Sequence, residues 1–271
     1  GGESGTYYAF GSVIAQHATN NAGVDVVGLV GNGSQSNVME LLDGNAELAF
    51  CQSDVMAYAY EGTNLFEEVG AIDCFSTVAA LYMEQVQIVT LDPEIKTVAD
   101  LAGKKVSIGA AGSGVYFNAI DILGVYGLTE ADINAQYQSF ADSADALKDG
   151  KIDAAFIVAG APTPAIQELC TSTDAYLVPI DGEIAAKLME TSPYYTTYTI
   201  PAETYKGQTE DVTTVTVKAT LIVSTSASEE DVYNITKSIF DNIDAIKAAH
   251  GKGAELSLAN ATEGMTAPFH K

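Results

Sequence analysis

The stretch Lys104–Gly127 reads KKVSIGAAGSGVYFNAIDILGVYG. Val106, Ser107 and Ile108 have the composition of a short buried strand, and Gly109–Gly114 is a loop of small residues. Ser113 stands where it would cap a helix beginning near Val115. A strand that feeds such a loop and then a helix N-terminus makes a cradle for a small anion. The first backbone N–H groups of a helix have no partner within it, and its dipole favours negative charge there. One turn of this kind is common in α/β chains, but this chain has two.

Ser4-Gly5-Thr6-Tyr7-Tyr8-Ala9 echoes Ser113-Gly114-Val115-Tyr116-Phe117-Asn118, and apolar residues at helical spacing follow both. Leu42-Asp43-Gly44-Asn45-Ala46-Glu47-Leu48-Ala49-Phe50 echoes Lys148-Asp149-Gly150-Lys151-Ile152-Asp153-Ala154-Ala155-Phe156. The offsets are 109 and 106 residues, and the order of features is the same in both halves. Two echoes at nearly one offset mark repeated units. They predict two similar α/β lobes, each with its loops at the carboxyl edge of a sheet, where open α/β sheets bind ligands. The repeat also predicts a strand leading into Gly1, as Val106–Ile108 leads into the second loop, with a removed export signal before it.

The chain has 271 residues, enough for two small lobes with real cores. A net charge of −24 argues against nucleic acid and anionic membranes as partners. All 12 basic residues are lysines. Without arginine there is no bidentate clamp for a carboxylate or phosphate, so an anion must be held by backbone N–H, hydroxyls, amides or lysine. Cys51, Cys74 and Cys170 form no CxxC pair and read as core residues.

Along the chain, Thr6–Asn20 is expected to be a helix with Tyr7, Phe10, Val13, Ile14 and Ala18 on one face. Asp25–Val30 reads as a strand, Ser36–Leu42 as a short helix and Glu47–Phe50 as a strand. A helix after Cys51-Gln52-Ser53-Asp54 runs through Tyr60. Phe75–Leu81 and Val86–Thr90 read as two strands, the second of which crosses between lobes. Ser143–Lys148 is expected to be a helix and Ala154–Val158 a strand, with Ile166–Cys170 continuing a helix after Pro162. Tyr194–Gln208 reads as an irregular covering loop. Val212–Val223 alternates as a strand and makes the second crossing. Ser228-Glu229-Glu230-Asp231 reads as a capping box opening one long helix that ends near Gly251, with the tail packing on the first lobe.

Catalytic patterns are sparse. There is no G-x-S-x-G elbow, no Walker A pattern, no metal cluster and no cofactor motif. His17, His250 and His270 lie away from the repeated loops and read as structural or solvated rather than as bases. Glu3 and Asp54 are the carboxylates closest to them, and Asp54 reads equally as a helix cap. Tyr7, Tyr8 and Tyr116 either line a pocket or pack between helix and sheet.

The segments GGESGTYYAFGSVIAQ, AELAFCQSDVMAYAYEG, ADLAGKKVSIGAAGSG, ADALKDGKIDAAFIVAGAPTPAIQEL and IPAETYKGQTEDVTTV resemble the TAXI family over essentially the whole chain. These are the TRAP-transporter-associated extracytoplasmic immunogenic solute-binding proteins. The resemblance implies an α/β, two-lobed type II periplasmic-binding-protein fold, each lobe a mixed sheet flanked by helices. Lobe 1 would be residues 1–88 and 213–271, lobe 2 residues 89–212, with a ligand cleft between them hinged by the two crossovers. The implied function is capture of a small carboxylate or amino acid, glutamate- or glutamine-like ligands among them, by closure, for delivery to the membrane permease subunits of a TRAP transporter. No cofactor is implied, and the location is extracytoplasmic, either periplasmic or lipid-anchored at the outer cell surface. Carried over by position, the ligand-facing residues are Ser4, Gly5, Thr6, Tyr7, Gly33, Ser34, Gln52, Ser53, Ser113, Gly114, Val115, Tyr116, Gly160 and Thr163. Glu3 departs from the small or hydroxylated residue usual at its place, which favours an amino acid over a dicarboxylate. The alternatives are an enzyme on the same fold or the ligand-sensing ectodomain of a signalling protein.

Overall fold

The computed structural model describes residues 1–271. The chain divides into two units, Gly1–Met83 with Lys218–Lys271, and Glu84–Val217. It begins with α1 (Thr6–Asn21), α2 (Ser34–Leu42), β1 (Leu48–Gln52) and α3 (Ser53–Glu61). The strand β2 (Phe75–Thr90) then runs from the first unit into the second. The second unit holds β3 (Lys105–Ser107), α4 (Val115–Val125), β4 (Asn134–Gln136), α5 (Phe140–Lys148), β5 (Ala154–Ala159), α6 (Pro164–Ser172), β6 (Tyr176–Val178), α7 (Gly182–Thr191) and β7 (Thr196–Ile200). β8 (Val212–Ser224) brings the chain back, and α8 (Glu229–Asp241) and α9 (Ile243–Ala249) complete the first unit.

In the first unit β1 pairs antiparallel with β8, from Leu48 opposite Val223 to Gln52 opposite Ala219. α1 buries Phe10, Ile14 and Ala18, and these meet Leu81, Tyr82, Leu221, Ile235 and Ile239 in one core. Each large apolar side chain buried there contributes about 1.5–3 kcal/mol. The C-terminal tail packs on the same unit: Thr77 N–H donates to Pro268 O at 2.7 Å, and Ala80 N–H to Ala261 O at 2.7 Å.

In the second unit β5 lies between β2 and β3. It is antiparallel to β2, with Gln85 opposite Ala159, and parallel to β3, which in turn pairs parallel with β4. β6 pairs with β2, and β7 with the first half of β8. Ile88, Leu101, Val106, Ile122 and Phe156 are fully buried at the centre of this unit. Its apolar β5, buried throughout, is what a strand covered on both faces requires.

Several elements depart from the sequence reading. Val24–Asn32 joins no strand, although Asp25–Val30 reads as one. Phe75–Leu81 and Val86–Thr90 form one continuous strand, because the polar side chains that interrupt the apolar pattern, Glu84 and Gln85, are themselves buried in it. α2 begins at Ser34, two residues before the reading placed it. The long C-terminal helix breaks at Asn242 into α8 and α9. Tyr194–Gln208 contains β7, and α7 had no counterpart in the reading. At Ser228 the hydroxyl accepts Asp231 N–H at 3.1 Å and donates to the Asp231 carboxylate at 2.7 Å, so the box closes side chain to side chain.

Candidate functional site

The sequence marks five loops, and each ends on a helix N-terminus. α1 starts on Gly5, α2 on Gly33, α3 on Gln52, α4 on Gly114 and α6 on Thr163, and none of these has a side-chain cap. Other helices are capped in the ordinary way. Ser139, Asp181 and Ser228 accept the N–H groups of Asp142, Glu183 and Asp231 at the starts of α5, α7 and α8. α9, which follows directly on α8, also lacks a side-chain cap. None of the five marked starts has an N-cap side chain bonded to its first turn, and α6 opens on Pro164, which has no N–H of its own; an uncapped helix start suits an incoming anion.

In the first unit three of these starts are linked through Ser34. Its Oγ accepts the Gln52 N–H at 3.1 Å and lies 3.4 Å from the Tyr7 hydroxyl. Tyr7 also packs on Phe50, with ring centroids 5.1 Å apart. Gly33 has φ +117°, a left-handed conformation that glycine adopts without strain. Thr6, Ser34, Gln52 and Ser53 are buried, Ser4 and Tyr7 are half-buried, and Glu3 is exposed. Ser53 Oγ accepts the Lys218 N–H at 3.3 Å, which ties the start of α3 to β8. Asp54 is wholly buried in the first turn of α3.

In the second unit β3 and β5 are parallel, so the loops after Ser107 and after Ala159 leave at the same edge of the sheet. Gly109 has φ +93°, and a Cβ there would lie 2.6 Å from Ser113 Oγ and 2.6 Å from Val115 Cβ. Only glycine lets the loop fold that tightly. Ser113 does not cap α4 as the sequence suggested. The N-cap residue is Gly114, and the buried Ser113 Oγ has no hydrogen-bond partner. Tyr116 turns to the β4 side, where its hydroxyl donates to Glu130 Oε2 at 2.9 Å and Tyr137 donates to the other carboxylate oxygen. Burial first, and then the Glu130 carboxylate, push the Tyr116 hydroxyl up to about 12.

The Gly160–Thr163 loop rests on a buried network. Thr163 N–H donates to Tyr205 Oη at 2.8 Å, and the Tyr205 hydroxyl donates to Gln87 Oε1. Gln87 Nε2 donates to Thr163 Oγ1 at 3.0 Å and to Ala159 O at 3.2 Å, while Thr163 Oγ1 donates to Gly160 O at 3.1 Å. Burial pushes the Tyr205 hydroxyl up to about 12, so it stays protonated and able to donate. The Thr163 hydroxyl thus serves the loop. Gln85 Oε1 accepts Ala161 N–H at 2.7 Å, and its Nε2 is buried without a partner.

Gln85, Gln87 and Tyr205 escaped the sequence reading. The signal for the glutamines was present: at i and i+2 in an otherwise apolar strand they share one face. No group of three or more His, Cys, Asp and Glu side chains is placed to hold a metal ion, and no helix is long and apolar enough to cross a membrane.

A model of the NMT1-like family matches residues 1–271. The chain belongs to the NMT1-like family. Solved structures show where its fold lies. This NMT1-like chain is similar to the alkanesulfonate-binding protein SsuA of Xanthomonas axonopodis pv. citri, bound to MOPS (TM-score 0.55, 16% identity, 90% of this chain and 71% of that one). It is also similar to the periplasmic aliphatic sulphonate binding protein SsuA of Escherichia coli (TM-score 0.51, 17% identity, 92% and 76%). A third is the GluR0 ligand-binding core of Nostoc punctiforme in complex with L-glutamate (TM-score 0.54, 13% identity, 91% and 91%). The NMT1-like chain therefore has the α/β, mixed-sheet fold of periplasmic binding proteins.

Proposed function

We propose that the chain is an extracytoplasmic solute receptor that captures a small organic anion or amino acid for a membrane importer, and that it is not an enzyme. The carrying observation is the contrast among helix starts. Those behind the five marked loops lack side-chain caps, whereas α5, α7 and α8 have them. Ser113 Oγ and Gln85 Nε2, buried without partners, add a hydroxyl and an amide donor at the carboxyl edge of the second unit.

Magnitudes support backbone capture. A helix end contributes about 0.3–1 kcal/mol to an anion when exposed and up to ~2 kcal/mol when partly buried. Each hydrogen bond to a charged group adds roughly 1.5–3 kcal/mol. Several converging donors reach micromolar affinity, about −8 kcal/mol, after association costs. No arginine is needed, and the chain has none. The names of its structural relatives fit this chemistry: two bind sulfonates and one holds L-glutamate. In this reading the marked loops hold the ligand, and the two strands that cross between units, β2 and β8, serve as the hinge for closure. The TAXI-like segments favour a TRAP-type importer as the destination.

The test is a calorimetric panel of L-glutamate, L-glutamine, monocarboxylates, dicarboxylates and alkanesulfonates. Saturable one-to-one binding of one class, without turnover, is expected. Turnover of any of them, or indifference to all, contradicts the reading. Reconstituted uptake with TRAP permease subunits, driven by an ion gradient and needing no ATP, tests the importer class.

A further inference from the structure

In the second unit β3, β4 and β5 run parallel, so the loops after them leave at one edge of the sheet. β2 runs against β5 with Gln85 opposite Ala159, which brings Gln85 to that same edge. In spatial order the edge reads residues 137–139 after β4, 109–114 after β3, 160–163 after β5, and then Gln85. Neighbouring strands stand about 4.8 Å apart, so three strand steps span roughly 14 Å. Side chains that reach inward along such an edge can meet on one small organic molecule.

Most polar side chains around the β4 end are spent within the fold. Gln136 Nε2 donates to Asn134 Oδ1 and to Ala135 O, each at 3.0 Å. Tyr137 donates to Glu130, and Ser139 Oγ accepts Asp142 N–H at 3.2 Å and donates to the Asp142 carboxylate at 2.6 Å. Gln138 is the exception: its Oε1 is buried without a hydrogen-bond partner. Further along the edge Ser113 Oγ and Gln85 Nε2 are buried without partners too, in residues 6% and 0% exposed. Gln85 can only donate there, because its oxygen end already holds Ala161 N–H at 2.7 Å. The edge therefore carries an unspent donor at Gln85, an unspent hydroxyl at Ser113 and an unspent acceptor at Gln138. Buried polar groups are ordinarily paired, so three unpaired at one edge mark a partner that the fold does not itself supply.

We infer that Gln138 is a specificity-determining residue that reads a donor on the ligand, and that the ligand is an α-amino acid rather than a plain carboxylate or alkanesulfonate. The inference rests on the receptor reading above. A plain anion offers only acceptors: it satisfies Ser113 and Gln85 and leaves Gln138 Oε1 unpaired. An amino acid sets its carboxylate against the Ser113 hydroxyl and the Gln85 amide and turns its ammonium group to Gln138. The ammonium donates and the amide oxygen accepts, a charge-assisted bond. A site with a buried acceptor rejects the analogue that lacks the donor, because its own group is then left unpaired. Glu3, the acid that the sequence offers for an ammonium group, is exposed and belongs to the first unit. Gln138 supplies an acceptor within the second unit, without a negative charge that would repel the carboxylate.

The test is a calorimetric screen of the standard amino acids on the wild type, each binder then paired with its deaminated analogue, as L-glutamate with glutarate or L-leucine with 4-methylpentanoate. At least one amino acid is expected to bind about tenfold or more tightly than its analogue. The same pair is then titrated into Gln138→Met, which keeps the length and removes the acceptor, and into Gln138→Glu, which keeps an acceptor and adds charge. Melting temperatures show whether each variant folds, and the wild-type ratio stands without them. Gln138→Met should weaken the amino acid by about tenfold or more and change the analogue by less than about twofold. Gln138→Glu should keep the amino acid and lose the analogue. Equal affinity for both members of every pair in the wild type, or equal weakening of both by Gln138→Met, overturns the inference and leaves the receptor reading standing. So does saturable binding of carboxylates or alkanesulfonates with none of any amino acid. A lower melting temperature of Gln138→Met with unchanged ligand choice also overturns it, as the result for an ordered water that serves the fold alone. Binding of no compound of either kind removes the receptor reading and this inference with it.

Discussion

Ala161 N–H donates to Gln85 Oε1 across 2.7 Å, and this leaves Nε2 of the same buried side chain without a partner. The amide is therefore fixed with its donor end unspent, beside the loop that starts α6. Gln85→Glu keeps the acceptor for Ala161 and replaces the spare donor with a carboxylate oxygen. Affinity for an anionic ligand should fall at least about a hundredfold, since a like charge replaces a hydrogen bond worth roughly 1.5–3 kcal/mol. Calorimetry on the folded variant checks this, and unchanged affinity would remove Gln85 from the site.

Tyr205 holds Thr163 and Gln87 together from the covering segment. Tyr205→Phe leaves a buried N–H and a buried amide oxygen short of a partner, at about 1–3 kcal/mol each. Urea unfolding should show a loss of about 2–4 kcal/mol, with faster amide exchange at Thr163. A loss under half a kcal/mol would mean the network adds little.

Ligand capture by closure predicts a change of size. Small-angle scattering at saturating ligand should give a smaller radius of gyration than the ligand-free protein. An unchanged radius would favour a rigid receptor.

His250 gives a pH dependence with a definite sign. Its Nδ1 accepts Lys252 N–H at 3.2 Å and its ring lies against Phe10, centroids 5.3 Å apart. Burial first, and then Lys252, lower its pKa from 6.5, so the folded state prefers the neutral ring. The unfolded chain binds the extra proton first as pH falls below about 6.5, so this stabilisation is present above that pH and lost below it. The melting temperature should decline from about pH 7 to about pH 5.5, and His250→Gln should flatten that slope. The lowered pKa values of Asp100, Asp132 and Asp149 act in a separate window, below their ordinary 3.8.

The repeated features were legible because local chemistry decides them. Ser4-Gly5 and Ser113-Gly114 each precede a helix, as glycine-rich loops before apolar helical spacing should. The role of Ser113 was not legible. Whether a serine caps a helix depends on one torsion, and the tight turn at Gly109 sends its hydroxyl elsewhere. Gln85 and Tyr205 meet the Ala161–Thr163 loop only through pairings across 76 and 42 residues, which no local window contains. Asp25–Val30 has strand composition without a strand's partners, because a ladder is a property of two segments.

The account rests on an anion held at uncapped helix starts, and Ser113 tests it most directly. Ser113→Asp places a negative charge at the start of α4, where the helix dipole tolerates it, so the fold should persist. Calorimetric titration of the wild type, Ser113→Ala and Ser113→Asp with the best ligand of the panel is the measurement. The account predicts modestly weaker binding for Ser113→Ala and no detectable binding for a folded Ser113→Asp. A folded Ser113→Asp that binds the same anion with wild-type affinity would contradict it.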